Sequence, residues 1–349
     1  MFHSPAKPVT IVGGGLAGLT LGIGLRHEGV PVSVWEAEHY PRHRVCGEFI
    51  SGRGQGTLER LGLREPIFSA GASLARTAAF VLGRNVGPGR SLREPAWCLS
   101  RFVLDGLLAS LFCRQGGELY QGNRRSRTDW PEGTVRASGR IACPADRSPH
   151  WYGLKVHARG VSLAADLELH GLENGYVGLC RLGDGQTNVC GLFRRRPDAA
   201  APARSWRELL QGEPGSPLRT RLAGAEFDEE SFCSVAGIDL RPRRATDRAE
   251  CCIGDALTML PPATGNGMSM AFEAAELAVA PLTAWSRGQL SWEAAKQTIA
   301  RTCDRTFAQR LRWARGLQWL MFAPGSRGLQ GRLALGSELV WRMFFDKTR

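Results

Sequence analysis

The 349-residue sequence predicts an α/β fold: a mixed sheet with covering helices, an antiparallel β-sheet block in the middle of the chain, and helices towards the C-terminal end. Three observations predict it. Residues 8–36 read as strand, glycine turn, helix and strand, the extent of one βαβ unit. From about residue 150 the apolar residues alternate with polar ones, the period of a strand. From about residue 265 the pattern changes again, to helical spacing.

The elements follow in order. Residues 8–12 form a buried strand, Gly13 to Gly15 the turn, 16–28 a helix, and 31–36 a second, parallel strand. A helix is expected at 53–62. Another, at 101–115, is amphipathic, with Phe102, Leu104, Leu107, Leu108 and Leu111 on or near one face. Short strands are expected at 118–121 and 134–137. Strands at 151–157, 164–170, 176–182 and 187–193 make the antiparallel block, with Gly183-Asp184-Gly185 as a hairpin turn between the last two. Residues 205–223 read as helix interrupted at Pro214 and Pro217. A buried strand returns at 250–254, a helix of small residues follows at 265–285, and 291–349 read as basic amphipathic helices rich in Trp and Phe. This divides the chain into a first domain of 1–70, 96–149 and 236–290, a second of 71–95 and 150–235, and a helical region of 291–349.

Composition excludes several functions. The net charge is +12, but 41 of the 45 basic residues are arginines spread along the chain, with no nucleic-acid motif beside them. They read as solvated surface, and no nucleic-acid partner is expected. The ten cysteines form no C-x-x-C pair, which leaves zinc-ribbon and thioredoxin-like sites without support and fits a reduced, cytoplasmic setting. No signal peptide is read at the start, and the apolar run at 11–25 is too short to span a bilayer. The oligomeric state is left open.

Gly13-Gly14-Gly15-Leu16-Ala17-Gly18 fits G-x-G-x-x-G between a strand and a helix, and Glu36 follows 18 residues after Gly18. Together these make a Rossmann-like dinucleotide-binding fingerprint. Gly13 allows the tight turn, Gly15 lets a pyrophosphate approach the backbone, and Gly18 lets helix and strand pack closely. Leu16 and Ala17 begin a helix whose N-terminal amides suit phosphate, and Glu36 suits a ribose 2′-hydroxyl.

A second segment, Gly254-Asp255 followed by Pro261, Pro262, Gly265, Gly267 and Met268, resembles the G-D…P…G-x-G stretch of the FAD-dependent superfamily that includes aromatic hydroxylases (class A flavin monooxygenases), geranylgeranyl reductases and flavin-dependent halogenases. The resemblance implies one FAD. Asp255 would bind its ribityl chain, and Pro262, Gly265, Gly267 and Met268 would approach the flavin ring. Arg44-Val45-Cys46-Gly47-Glu48 resembles the C-G-E stretch of the reductases, which implies that Arg44, Cys46 and Gly47 pass the flavin. No catalytic residue is assigned; Cys46 is the one candidate, and a buried thiol in a turn is its other reading. Arg101 and Asp105 match R-x-x-L/F-D at a helix start, which implies that Arg101 lies against the cofactor; the same spacing also makes an i,i+4 ion pair.

The chain departs from these relatives in three places. Ala137–Ala142 lacks the acidic residue and serine of the hydroxylases' A-D-G-x-x-S, which puts direct nicotinamide docking in doubt. Tyr176–Arg181 matches neither W-x-W-x-I-P of the halogenases nor Y-x-W-x-F-P of the archaeal reductases. Lys155, alone among lysines in the mid-chain sheet, reads as a solvated strand residue, so a halogenase is not expected. With one fingerprint, NADH or NADPH binds transiently or a partner flavin reductase supplies electrons. The expected function is hydroxylation of a hydrophobic small molecule through a flavin hydroperoxide, with the middle sheet excluding water. The alternative is a reductase-like enzyme acting on a prenyl or polyene chain. His150, His157 and His170 are read as structural. Trp313, Trp319, Phe322, Trp341, Phe344 and Phe345 lie among arginines in 301–349. They either pack on the domains or make peripheral contact with a membrane.

Overall fold

Strand Val9–Val12 (β1) runs into helix Leu16–His27 (α1) and returns as Val32–Trp35 (β2), which pairs with β1 in parallel. The structure is a computed structural model that describes residues 5–125, 130–141, 150–195 and 205–322. Every residue of α1 from Leu16 to Leu25 is buried. A helix apolar all round has no wet face, and this one is enclosed by its sheet and two further helices.

The chain continues with Phe49–Ile50 (β3), Arg53–Arg60 (α2), Arg64–Ser69 (α3), Ser73–Leu82 (β4), Asn85–Val86 (β5), Arg90–Cys98 (β6) and Arg101–Arg114 (α4). Next come Glu118–Tyr120 (β7), Thr134–Arg136 (β8), His150–Arg159 (β9), Leu167–Gly171 (β10), Gly175–Arg181 (β11) and Thr187–Arg195 (β12). Trp206–Gln211 (α5), Pro217–Arg221 (α6), Glu226–Ile238 (β13), Cys251–Cys252 (β14), Gly267–Ser286 (α7) and Trp292–Phe322 (α8) complete it.

Two sheets result. The first, β14-β8-β1-β2-β7, is wholly parallel, with α1, α4 and α7 packed together on it. The second runs β13-β9-β12-β11-β10-β4-β6-β3, with β5 on β4. It is antiparallel as expected except where β10 meets β4 in parallel. Strands β4, β6 and β13 add to the sequence pattern. Ser216 and Pro217 start α6 with a side-chain cap and a proline at its first position. Phe102 departs from the amphipathic reading of α4: it is exposed at its edge and stacks on His43, with ring centroids 4.6 Å apart.

The two faces of β9 bury different partners. Leu154, Val156 and Ala158 join the cluster with Leu210, Leu218 and Leu222 of α5, α6 and the turn after them. Trp151, on the other face, joins Tyr176, Leu192, Ile238 and Leu240, with Met259, Ala263 and Phe322 against them. Phe322, at the described end of α8, meets the Trp151 ring edge-on at 4.8 Å. Trp319, one turn earlier, is 71% exposed. Trp341, Phe344 and Phe345 lie outside the described residues.

Helices α7 and α8 are tied by a buried bidentate pair: Arg310 donates from Nη1 and Nη2 to the two Glu273 oxygens at 2.7 and 2.6 Å. Removing one partner strands a buried charge. Arg310→Met should therefore destabilise the fold by about 3–5 kcal/mol in urea unfolding, and adding Glu273→Leu should recover most of it. An unchanged unfolding midpoint in the single variant would show that the pair is not a buried charge couple.

Candidate functional site

The glycine turn sits where the parallel sheet is tightest. Gly13 has φ +112°, and a β-carbon there would overlap the Ala137 carbonyl beyond β8. A β-carbon on Gly18 would overlap the Gly13 carbonyl, so α1 can start only without one. Gly15 differs: nothing in the protein lies within 4 Å of the position its β-carbon would take. It is the N-cap of α1 and gives the first turn no side-chain hydrogen bond. Leu16 and Ala17 are buried behind it. The turn thus leaves an open, positively polarised helix end.

Glu36, at the end of β2, buttresses the turn. Its Oε2 accepts from the Gly14 amide at 2.8 Å, and its Oε1 accepts from the Glu38 amide at 3.1 Å and lies 2.8 Å from Arg42 Nη2. The Tyr40 hydroxyl donates to the Gly14 carbonyl. Burial pushes the Glu36 carboxyl up, but Arg42 and Arg44 outweigh it and hold it below its ordinary value. Tyr40 and Arg42 were not among the residues singled out from the sequence; they belong to no spacing motif, and only the fold brings them to the turn.

The second segment meets the first. A β-carbon on Gly254 would lie 2.8 Å from that of Ala17, so the residues after β14 abut the start of α1. Asp255 makes no hydrogen bond among the described residues, though the charges of Arg101, Arg140 and Arg44 act on it. Burial raises its carboxyl from 3.8 to about 6 against their pull. Arg101 is held by Asp105, donating from Nε and Nη2 at 2.7 and 2.8 Å, and Arg44 Nε joins the same carboxylate at 3.1 Å. The expected i,i+4 pair is present, and it aligns two guanidinium groups near Asp255.

Beyond Pro262, Gly265 has φ +64°, and the Phe49 ring fills the space a β-carbon would need. Gly47 packs against the same ring, with the site of its β-carbon 3.1 Å away. Ser269 of α7 donates to the Ser51 carbonyl. The segments 46–51 and 262–269 therefore lie against each other. Gly267 opens α7 without a side-chain cap and with nothing within 4 Å of its β-carbon position, and Met268 is buried behind it. Ser51 Oγ and Asn188 Oδ1 are buried without a protein partner among the described residues. Two open helix ends, an unbonded aspartate and these orphaned oxygens fit a polar cofactor with a phosphate group and a ring.

Burial pushes the Cys46 thiol up, which keeps it protonated and disfavours a nucleophilic role. Its carbonyl accepts from Asn188 Nδ2 at 2.8 Å.

Lys155 corrects the sequence reading. It is wholly buried, not solvated, because β9 is covered on both faces. Its Nζ lies 2.9 Å from His43 Nδ1 and 3.6 Å from Glu48 Oε1. His157 Nε2 lies 2.6 Å from Glu48 Oε2. Burial pushes the Glu48 carboxyl up, but the His157 hydrogen bond and the Lys155 charge hold it below its ordinary value. Burial, then Lys155 and His157, lower His43 to about 4. His170 pairs with Glu168 at 2.8 Å on the opposite face.

Residues 6–147 match the family of the FAD binding domain. No curated protein matches the chain. Among solved structures the chain is similar to the flavin-dependent brominase Bmp2, at 17% identity and TM-score 0.75 over 99% of this chain and 95% of that one. It is similar to a flavoprotein/dehydrogenase from Cytophaga hutchinsonii, at 17% identity and TM-score 0.71 over 98% and 96%. It also resembles PqsL, a probable FAD-dependent monooxygenase from Pseudomonas aeruginosa, at 16% identity and TM-score 0.70 over 93% and 99%. The likenesses to solved structures show the fold, and the family match places an FAD binding domain over residues 6–147, which contain the glycine fingerprint and Glu36.

The partly buried Asp255 gives a prediction with a definite sign. Its folded value lies above the unfolded one, so the stability it lends is full below about pH 4 and is lost as pH rises through about 6. Asp255→Asn should stabilise the apoprotein at pH 7.5 by up to about 3 kcal/mol in urea unfolding, flatten the pH dependence between 4 and 6, and weaken FAD binding. Equal stability of variant and parent at both ends of that range would contradict the burial of this charge.

Proposed function

We propose that the protein is a flavin monooxygenase that hydroxylates a hydrophobic small molecule. The supporting observation is the apolar cluster on one face of the second sheet, packed against Met259 and Ala263 and the end of α8. Trp151, Tyr176, Leu192 and Ile238 belong to it. Such a face excludes water and gives an apolar substrate its binding energy.

The residues divide the cofactor between them in this reading. The Gly13–Gly18 turn and the α1 N-terminus take the pyrophosphate. Glu36 stands at the adenosine ribose, with Arg42 sharing its carboxylate. Asp255 receives the ribityl hydroxyls, with Arg44 and Arg101 alongside, and Gly265, Gly267 and Met268 meet the ring across from Cys46 and Gly47. FAD, when bound, supplies the redox chemistry, taking electrons from NADH, NADPH or a partner flavin reductase. Ala137 serves the Gly13 turn, which favours a donor that docks elsewhere or a separate reductase. Similarity to PqsL agrees with this reading. No helix among the described residues is long and apolar enough to cross a membrane, and the exposure of Trp319 supports peripheral lipid contact in this reading.

A halogenating enzyme is the second reading. The burial of Lys155 favours it, since it removes one argument against it, as do similarities to halogenase structures. Against it, the Lys155 ammonium is already engaged by His43 and lies close to Glu48.

Dithionite-reduced holoprotein, given a panel of aromatic and prenyl compounds with ¹⁸O₂ and bromide, separates these readings by mass spectrometry. Hydroxylation predicts one ¹⁸O in the product, formed whether or not bromide is present. Bromine in the product would establish the halogenase instead, and a hydrogenated product formed without O₂ would establish the double-bond reductase.

A further inference from the structure

Glu48 is costly to build and the fold alone does not require it. It is the one non-glycine residue in the left-handed region among the described residues, with φ +60°. Such a conformation persists only where its surroundings over-determine it. Its carboxylate and the Lys155 side chain are both wholly buried. Apolar side chains of similar volume would stabilise a fold at least as well as a buried ion pair.

What surrounds Glu48 shows what it grips. Its carboxylate accepts from the Arg101 amide, the first residue of α4, at 2.8 Å. His157 and Lys155 hold it to β9. Its own carbonyl accepts from the Leu99 amide at 3.2 Å. Side chain and backbone are thus fastened at once to the second sheet and to the start of α4. The next residue is Phe49, whose ring lies on Gly265, and the previous one is Gly47, packed on the same ring.

We propose that Glu48 is a positioning residue: its buried carboxylate, fixed by Lys155, His157 and the Arg101 amide, locks the 47–49 turn so that Phe49 sets the spacing between the 46–49 and 262–268 segments on either side of the flavin ring. The inference rests on the FAD reading and not on the type of reaction. Cys46 and Gly47 then keep their place by the charge cluster behind them, so the cluster tunes the ring environment without touching the ring.

The test uses FAD-loaded protein and reads iodide quenching of bound-flavin fluorescence and the flavin midpoint potential, beside FAD content. Glu48→Gln and Lys155→Met should retain FAD, raise the quenching constant severalfold and shift the potential, and Lys155→Arg should restore both towards the parent. Phe49→Ala should give the same change with the cluster intact. Because both act through one contact, Glu48→Gln/Phe49→Ala should be no worse than Phe49→Ala alone. Parent-like quenching and potential in Glu48→Gln, or additive effects in the double variant, would overturn the inference. If Glu48→Gln does not accumulate folded, Phe49→Ala decides, and a parent-like result there overturns it. A parent protein that binds no FAD fails the cofactor reading and this inference with it; a parent that binds FAD beside unchanged variants fails the inference alone.

Discussion

The close approach of backbone at Gly13 governs the rest of the molecule. There the turn after β1 is pressed against the Ala137 carbonyl, and Gly18 brings α1 back onto the same turn. Neither contact tolerates a β-carbon, so strand, turn and helix are fixed relative to one another by sterics. With α1 so placed, Gly254 can seat against Ala17 and Asp255 is carried to the open helix end. Burial of apolar residues around α1 stabilises the arrangement, but the glycines decide its geometry.

Electrostatics then shapes the site. Among the described carboxylates of the site, Glu36, Glu48 and Asp105 are each engaged and Asp255 is not. Glu36 is held by an amide and Arg42, and Asp105 by Arg101 and Arg44. The result is a set of aligned guanidinium groups beside one unbonded carboxyl, next to helix ends that favour anions. The stability lost by partly desolvating Asp255 is the usual cost of a site built to receive a ligand.

Legibility in the sequence followed the range of the physics involved. The fingerprint was readable because glycine spacing encodes a local backbone path. The strands β9, β11 and β12 were readable because alternation is local too. Strand β13 was not, because Glu226, Asp228, Glu229 and Glu230 give it a polar edge with no alternating apolar face. Strand β4 was hidden by its small residues, Ala75, Ala78 and Ala79. Lys155 was misread for a related reason. A polar residue between apolar ones reads as facing water, yet both faces of β9 are covered, and its partners His43 and Glu48 lie more than a hundred positions away in the chain. The meeting of 46–51 with 262–269 was implied by a family resemblance and by nothing in the spacing itself.

The central claim is that the open face at Gly15 is where the cofactor's pyrophosphate lies. Titration of the apoprotein with FAD, followed by flavin absorbance and gel filtration, tests it most directly when parent and Gly15→Val are compared. A valine there meets no protein atom within 4 Å of its β-carbon, so folding should be preserved while the pyrophosphate path is filled. The account predicts one FAD retained per parent chain and little or none by a folded Gly15→Val protein. Full FAD occupancy in that variant would contradict it.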